Sequence, residues 1–301
     1  MGNGISASHH SCLATILVTG SNGMLGQDLC PILESANYTV IKTDVAEMNI
    51  TNGESVECVI STEKPDVVVH CAAYTNVDKA EIDENLAHKI NASAVENLGL
   101  SGARVIHIST DYVFSGEACM PYMETDPVAP RTAYGRTKRE GEKLLQAVSA
   151  EAIIIRTAWL YSTFGNNFVK TMLRLGQERE SLGVVFDQLG SPTYAADLAT
   201  AIFAVINAPV WHAGVYHFTN EGVCSWYDFT HEIFVRAQAL LPKEMAEKIA
   251  HCQLRPILSS EYQYQTPRPH YSVLNKSKIK QTFGITIPHW TEALQVCLEK
   301  L

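Results

Sequence analysis

The chain has 301 residues and carries 23 Lys and Arg against 32 Asp and Glu, a formal net charge of −9. A chain of this length buries roughly 75% of its unfolded surface, and 46% apolar with 18% charged residues is an ordinary globular balance. The acidic total argues against a protein that grips nucleic acid, which needs clustered Lys and Arg, but not against one that holds a small anion on local donors and helix N-termini.

Taken in chain order, Thr15–Thr19 reads as a β-strand, followed by a Gly-rich turn and an amphipathic helix to about Ala36. Strands are expected at Tyr38–Thr43, Asp66–Cys71, Arg104–Ile108 and Ala152–Arg156. Helices are expected over Asn52–Glu63, Glu84–Leu100 and Pro130 to about Ser149. Strand–helix alternation with near-continuous apolar strands implies a parallel sheet covered on both faces. The second half is less regular. Helices are expected at Asn167–Glu178, Tyr194–Ala208, Trp226–Leu240, Ser277–Phe283 and Thr291–Leu301, with strands near Gly183–Phe186 and Val215–Phe218. The whole reads as α/β: a doubly wound parallel sheet of Rossmann type with a smaller, partly discontinuous α/β lobe. Residues 12–158 and 192–210 are assigned to the sheet domain, 159–191 and 211–301 to the lobe, and 1–11 to a flexible leader. Ligands of such open sheets bind at the carboxyl ends of the strands.

The eight cysteines form neither a CxxC pair nor a spaced framework. Reduced, mostly buried thiols of a cytoplasmic protein are expected, with Cys12, Cys58, Cys71 and Cys297 in apolar or amphipathic runs. The longest apolar run, Leu198–Ile206, is half a membrane span, so no membrane segment is expected. The N-terminus lacks the basic region and apolar core of a signal peptide. Gly2 and Ser6 match the myristoylation pattern, but so short a pattern recurs by chance, and no lipid is expected. His231-Glu232 has no second histidine at helical spacing, and His70, His107 and His217 read as core or edge residues of strands. No metal site is expected.

Gly20-Ser21-Asn22-Gly23-Met24-Leu25-Gly26 lies between the first strand and the first helix. Gly20 permits the tight turn, Gly23 lets backbone approach a pyrophosphate, and Gly26 allows close helix–strand packing. The helix N-terminus adds free N–H groups and partial positive charge. Asp44 follows the second strand, 24 residues after Gly20, where an acid accepts from adenosine ribose hydroxyls and repels a 2′-phosphate. This favours NADH over NADPH, and Lys42 leaves the choice open. Tyr134 and Lys138 are four apart and so share one helix face. An ammonium beside a phenol lowers the phenol's pKa, and Thr110 stands at a strand end. Thr110, Tyr134 and Lys138 together can deliver a proton to a carbonyl oxygen while a cofactor delivers hydride to its carbon.

With these residues in place, the chain resembles the extended short-chain dehydrogenase/reductases and, within them, the dTDP-4-dehydrorhamnose reductase family. The narrower resemblance spans Leu17 to about Leu298. It rests on Val18–Gly26, Ala72–Glu81, Ser109–Phe114, Tyr134–Glu142, Arg156–Tyr161 with Gly165–Phe168, Asp187–Thr193, and Arg268-Pro269 with Ser272–Leu274. It implies reduction of the C4 ketone of dTDP-4-dehydro-L-rhamnose to dTDP-L-rhamnose by NADPH or NADH, with Thr110, Tyr134 and Lys138 catalytic. It places Gly23, Met24 and Leu25 at the pyrophosphate, Asn49 and Ile50 near the adenine, and Cys71, Ala72, Ala73 and Thr75 along the cofactor. Asn49 stands where that family often has Asp. Asp111, Tyr112 and Trp159 would contact the sugar, and Asp187–Thr193 would help shape its pocket. Some members use Mg2+, and no ligand cluster here calls for it. The expected partner is the dTDP-sugar, with the chain a monomer or homodimer. The dehydratases of the superfamily place Asp-Glu after the catalytic Thr, whereas Asp111 here precedes Tyr112, which argues for reduction over elimination. Two other readings stay open: an epimerase or reductase of another nucleotide sugar, and a non-catalytic regulatory subunit similar to that of methionine adenosyltransferase.

Overall fold

The computed structural model describes residues 14–301. The expected leader over 1–11, the Gly2/Ser6 pattern and Cys12 lie outside the described residues. The first half runs β1 (Thr15–Thr19), α1 (Met24–Ser35), β2 (Thr39–Thr43), α2 (Gly53–Glu63), β3 (Val67–His70), then three short helices, α3 (Val77–Ile82), α4 (Glu84–His88) and α5 (Ala94–Gly99). β4 (Arg104–Thr110), α6 (Ala133–Val148) and β5 (Ile153–Thr157) follow. The second half comprises β6 (Leu160–Tyr161), α7 (Phe168–Glu178), β7 (Ser181–Val185), β8 (Leu189–Gly190), β9 (Thr193–Tyr194) and α8 (Ala195–Ile206). It ends with β10 (Gly214–His217), β11 (Cys224–Ser225), α9 (Trp226–Leu240), α10 (Lys243–His251), β12 (Gln253–Ile257), α11 (Ser277–Phe283) and α12 (Trp290–Leu298).

The large sheet has six strands in the order β10-β5-β4-β3-β1-β2, every pair parallel. Alternation along the strands divides its side chains between two faces. Ile16, Val18, Val69, Ile106 and Ile155 pack with Leu25 and Leu29 of α1 and Leu198 and Ile202 of α8. Leu17, Val68, Val105 and Ile154 pack with Val56 of α2, Leu98 of α5 and Leu145 of α6. Both faces are thus covered, as the apolar strands require. A separate core joins Val169 and Met172 of α7, Phe229 and Ile233 of α9 and Leu294 of α12. Beside it, β7 and β12 form a two-stranded parallel sheet.

The structure departs from the sequence expectation at four places. The single helix expected over Glu84–Leu100 is interrupted by a π turn at Lys89–Ser93 and preceded by α3. Asn91 causes this: its side chain accepts from the Tyr74 N–H at 2.9 Å and donates to the Tyr74 carbonyl at 3.0 Å, tying the turn to the loop after β3. A side chain at Gly141 would collide with the Asn91 carbonyl, so only glycine lets α6 pass there. Second, the expected division gives 211–301 wholly to the lobe, yet β10 extends the large sheet beside β5, and Ile279 of α11 joins the sheet's core. Third, α10 and β12 occupy a stretch where the sequence predicts no element. Fourth, Cys58 is exposed, as is Cys119, while Cys30, Cys224, Cys252 and Cys297 are buried. Cys58 sits on the outer face of α2, where the helix alternates rather than the whole run being covered. The described cysteines are all free. No described helix is long and apolar enough to cross a membrane.

Candidate active site

A cavity of about 760 Å³ opens where β1, β3, β4 and β5 end. Its floor is the turn into α1. Gly20 takes φ +63°, and a Cβ there would stand 2.8 Å from the Ala72 backbone, so the two chain segments approach as only glycine allows. Gly23 is the N-cap of α1 and supplies no side-chain cap. The first N–H groups of the helix are therefore left for a ligand, and the partial positive end of the dipole faces the cavity. That is the donor set a dinucleotide's pyrophosphate needs, so the residues fit such a cofactor.

Gly20, Gly23, Met24, Leu25, Asp44, Asn49, Ile50, Cys71, Ala72, Ala73 and Thr75 all line this cavity, together with Thr110, Asp111, Tyr112, Tyr134, Lys138 and Trp159. Two expected contacts do not. A Cβ on Gly26 would stand 2.5 Å from the Gly20 carbonyl oxygen, which places Gly26 in the packing under the turn. Asn22 accepts from the Gln27 amide at 2.7 Å and turns its N–H to Asp44 at 3.3 Å. Asp44 also accepts from the Val45 N–H at 2.8 Å, so two backbone donors hold it at the cavity edge. Lys42 is paired with Glu34 at 2.7 Å. Asn49 folds its side chain onto Thr51, 2.8 Å from the hydroxyl. Val77, Leu86 and Ile90 complete one wall; they lie on α3, α4 and the π turn, and the interruption that exposes them has no periodic signal in the sequence.

The reacting end is built by α6 against β4. Thr132 caps α6, accepting from the Gly135 N–H at 3.1 Å. One buried seam clamps the helix to the sheet: Glu142 accepts from Arg156 at 2.8 Å, from Ser109 at 2.6 Å and from Arg139 at 2.8 Å. Guanidinium and hydroxyl donors hold Glu142 below the usual glutamate range despite burial. One turn earlier Lys138, only 1% exposed, donates to the Ile108 carbonyl at 2.7 Å and approaches His107 Nε2 at 3.3 Å. Burial pushes its ammonium down to about 8.

Tyr134 corrects one expectation. Its hydroxyl is pushed up to about 12 by burial, opposed by the Thr110 hydroxyl and reinforced by the Asp111 charge. Lys138 does not lower it, because that ammonium is turned toward Ile108 and His107. Thr110 donates to Asp111 Oδ1 at 2.9 Å and accepts from the Tyr112 N–H at 3.2 Å. Asp111 is 5% exposed, and its Oδ2 is buried without a partner. Burial raises its carboxyl to about 7.

A second cavity of about 380 Å³ shares Asp111, Tyr112 and Trp159 with the first and runs into the lobe. Trp159 takes φ +50°, an unusual backbone for a bulky residue, and stacks on Trp226 with ring centroids 3.5 Å apart. Strain of this kind persists where surrounding structure imposes it, often at ligand sites. Gln188 donates to Ser259 at 2.9 Å and Tyr264 at 3.0 Å, with its Oε1 buried and unpartnered. Arg268 lines the same cavity and donates to Asp78 at 2.7 Å. Gln188 lies inside the stretch expected to shape the pocket. Tyr262 and Tyr264 had no signal beyond aromatic character. Among the described residues, no group of three or more His, Cys, Asp or Glu could hold a metal ion.

The sequence profile of the RmlD substrate binding domain family matches residues 14–301. The spore coat polysaccharide biosynthesis protein SpsK of Bacillus subtilis is 41% identical over 96% of this chain and 98% of its own. A dTDP-4-dehydrorhamnose reductase of Aggregatibacter actinomycetemcomitans is 40% identical, covering 94% of this chain and 98% of its own. The crystal structure of a dTDP-4-dehydrorhamnose reductase from Bacillus anthracis in complex with NADP superposes with a TM-score of 0.89 at 37% identity, covering 96% of this chain and 100% of that one.

Proposed function

The chain belongs to the RmlD substrate binding domain family, and from that premise we propose that it reduces the C4 ketone of dTDP-4-dehydro-L-rhamnose to dTDP-L-rhamnose. The observation that carries the reading is the shared cavity wall. Tyr134, Thr110 and Lys138 stand at one end of the dinucleotide cavity, where it meets the aromatic cavity of the lobe through Asp111, Tyr112 and Trp159.

The α1 N-terminus, Gly23, Met24 and Leu25 would hold the pyrophosphate of NADH or NADPH, with Asp44 at the ribose and Cys71, Ala72, Ala73 and Thr75 along the chain. When bound, the reduced nicotinamide supplies hydride to the ketone carbon. Thr110 would turn its hydroxyl from Asp111 to the carbonyl oxygen. Tyr134 donates the proton. A phenol pushed up to about 12 remains protonated at neutral pH, which is the state a proton donor in the reducing direction needs. Lys138, one helical turn away, would hold the nicotinamide ribose with the N–H that Ile108 and His107 leave free. Asp111, Tyr112 and Trp159 orient the sugar, and Trp226, Gln188 and Arg268 line the space beyond. The sheet domain carries the cofactor and the lobe selects the sugar, in a cytoplasmic enzyme working as a monomer or homodimer.

The experiment is a panel of 4-keto nucleotide sugars with NADH and NADPH, followed by loss of the nicotinamide absorbance band. Turnover of the dTDP-linked 4-keto-6-deoxy sugar supports the reading. Turnover only of another nucleotide sugar transfers the chain to a sibling activity, and none with any sugar returns it to a binding role.

A further inference from the structure

We propose that His107, backed by His70, is a positioning residue for Lys138: a buried imidazole whose lone pair accepts one lysine proton and fixes where the ammonium stands in the dinucleotide cavity. The proposal rests on the reading of Lys138 as part of the reductase site.

The parallel register lays out a row. Thr19 of β1 is the partner of His70 in β3, and His70 is the partner of His107 in β4. Residues paired in register show their side chains on one face, so a polar row crosses three strands just below the cavity. Two residues back, the same face carries Leu17, Val68 and Val105, all apolar and buried. The packing would accept the same chemistry one rung up, yet the chain places two imidazoles there. Their rings stack at 5.2 Å, and neither residue is more than 1% exposed.

The hydrogen bond from Lys138 fixes the proton position on His107. At the β1 end, His70 Nδ1 stands 2.6 Å from Thr19 Oγ1, which also accepts from the Ala72 N–H at 3.3 Å. At the other end Lys138 Nζ stands 3.3 Å from His107 Nε2. An ammonium has only donors, so His107 Nε2 must be bare and Nδ1 must carry the proton. His70 Nε2 and His107 Nδ1 have no partner. A filler pair with two unmatched ring nitrogens costs stability that Val or Leu would not. What the imidazoles provide is an acceptor directed at Lys138.

Both rings are neutral, since burial and the Lys138 charge hold them below the usual histidine range, His70 at about 3. The other titratable groups acting on Lys138 are Glu142 on its own helix and Cys71 after β3. With one proton on the Ile108 carbonyl and one on His107, the third N–H of Lys138 is the one left for the cavity it lines. Removing the imidazole acceptor frees the ammonium to rotate and makes it easier to deprotonate.

The test compares full-length wild type with His107→Leu and His107→Gln, whose amide oxygen offers an acceptor in place of Nε2. For His107→Leu the expected results are a dissociation constant for NADPH or NADH raised tenfold or more, and a lower kcat. The alkaline limb of the pH profile of kcat/KM should move down by half a unit or more. His107→Gln should restore most of each. A His107→Leu enzyme with all three within twofold of wild type, and only a lower Tm, overturns the proposal. If that variant does not fold, nitrogen NMR of histidine-labelled wild type decides: a neutral His107 protonated on Nδ1 supports it, and protonation on Nε2 overturns it. Dinucleotide affinity and tautomer need no sugar, so loss of the reductase reading alone would leave both results standing.

Discussion

Glu142 and Arg156 form a two-pronged ion pair, Nε and Nη2 each 2.8 Å from a carboxylate oxygen, with both side chains shut away from water. The pair joins α6 to β5 one turn beyond Lys138, so the geometry of the proton-donating helix depends on a charge contact that does not itself line the cavity. Glu142→Gln leaves a guanidinium buried without its counter-charge. A loss of about 3–5 kcal/mol is expected on breaking such a pair, read by denaturant unfolding. A change under about 1 kcal/mol would show that the seam does not hold the helix.

The Tyr134 phenol is the proton donor in this account. Tyr134→Phe should leave dinucleotide affinity within about twofold and lower kcat by roughly 10²–10⁴, the contribution of a positioned general acid. Equal kcat in the variant and wild type contradicts the assignment.

Asp111 makes stability depend on pH in a particular direction. Its folded carboxyl is raised to about 7 from an ordinary value of 3.8. The folded state therefore binds the proton more tightly than the unfolded one. That contribution is present in full below pH 4 and is lost as pH rises through 7. Asp111→Asn removes the dependence, so the melting temperature of the variant relative to wild type should climb between pH 4 and pH 7. Melts recorded across that range check it; a flat difference counts against the buried, partnerless Oδ2.

The lobe cavity is expected to act on the sugar nucleotide alone. Gln188 anchors Ser259 and Tyr264 and lines the cavity beside Trp226. Gln188→Leu should raise the sugar-nucleotide KM about tenfold, the effect of losing about 1.4 kcal/mol of polar contact, with the NADPH KM unchanged. Steady-state kinetics with each substrate varied in turn separates the two.

Much of the fold is legible in the sequence. The apolar runs of β1, β3 and β5 and the glycines from Gly20 to Gly26 define a parallel sheet and its ligand edge, because both are local patterns. Of the residues expected to contact cofactor or sugar, all but Asn22 and Gly26 line one of the two cavities, while Val77, Leu86 and Ile90 line the first without a signal in the sequence. What the sequence hid is set by contacts distant along the chain. Asn91 breaks its helix only because Tyr74 offers backbone groups to it. Strand β10 reads as part of the lobe until its pairing with Ile153–Arg156 is seen. Spacing places Tyr134 and Lys138 on one face, but not that the lysine turns to Ile108, since that carbonyl belongs to another strand. His107 looked like a core residue because burial was visible in the pattern and its partner was not.

The most direct test is a single reaction: purified protein, dTDP-4-dehydro-L-rhamnose and NADPH, repeated with NADH, monitored by nicotinamide oxidation and by the sugar product. One dinucleotide oxidised for each C4 ketone converted to the alcohol, giving dTDP-L-rhamnose, is the predicted result. Tight dinucleotide binding with no oxidation of either cofactor would contradict the account.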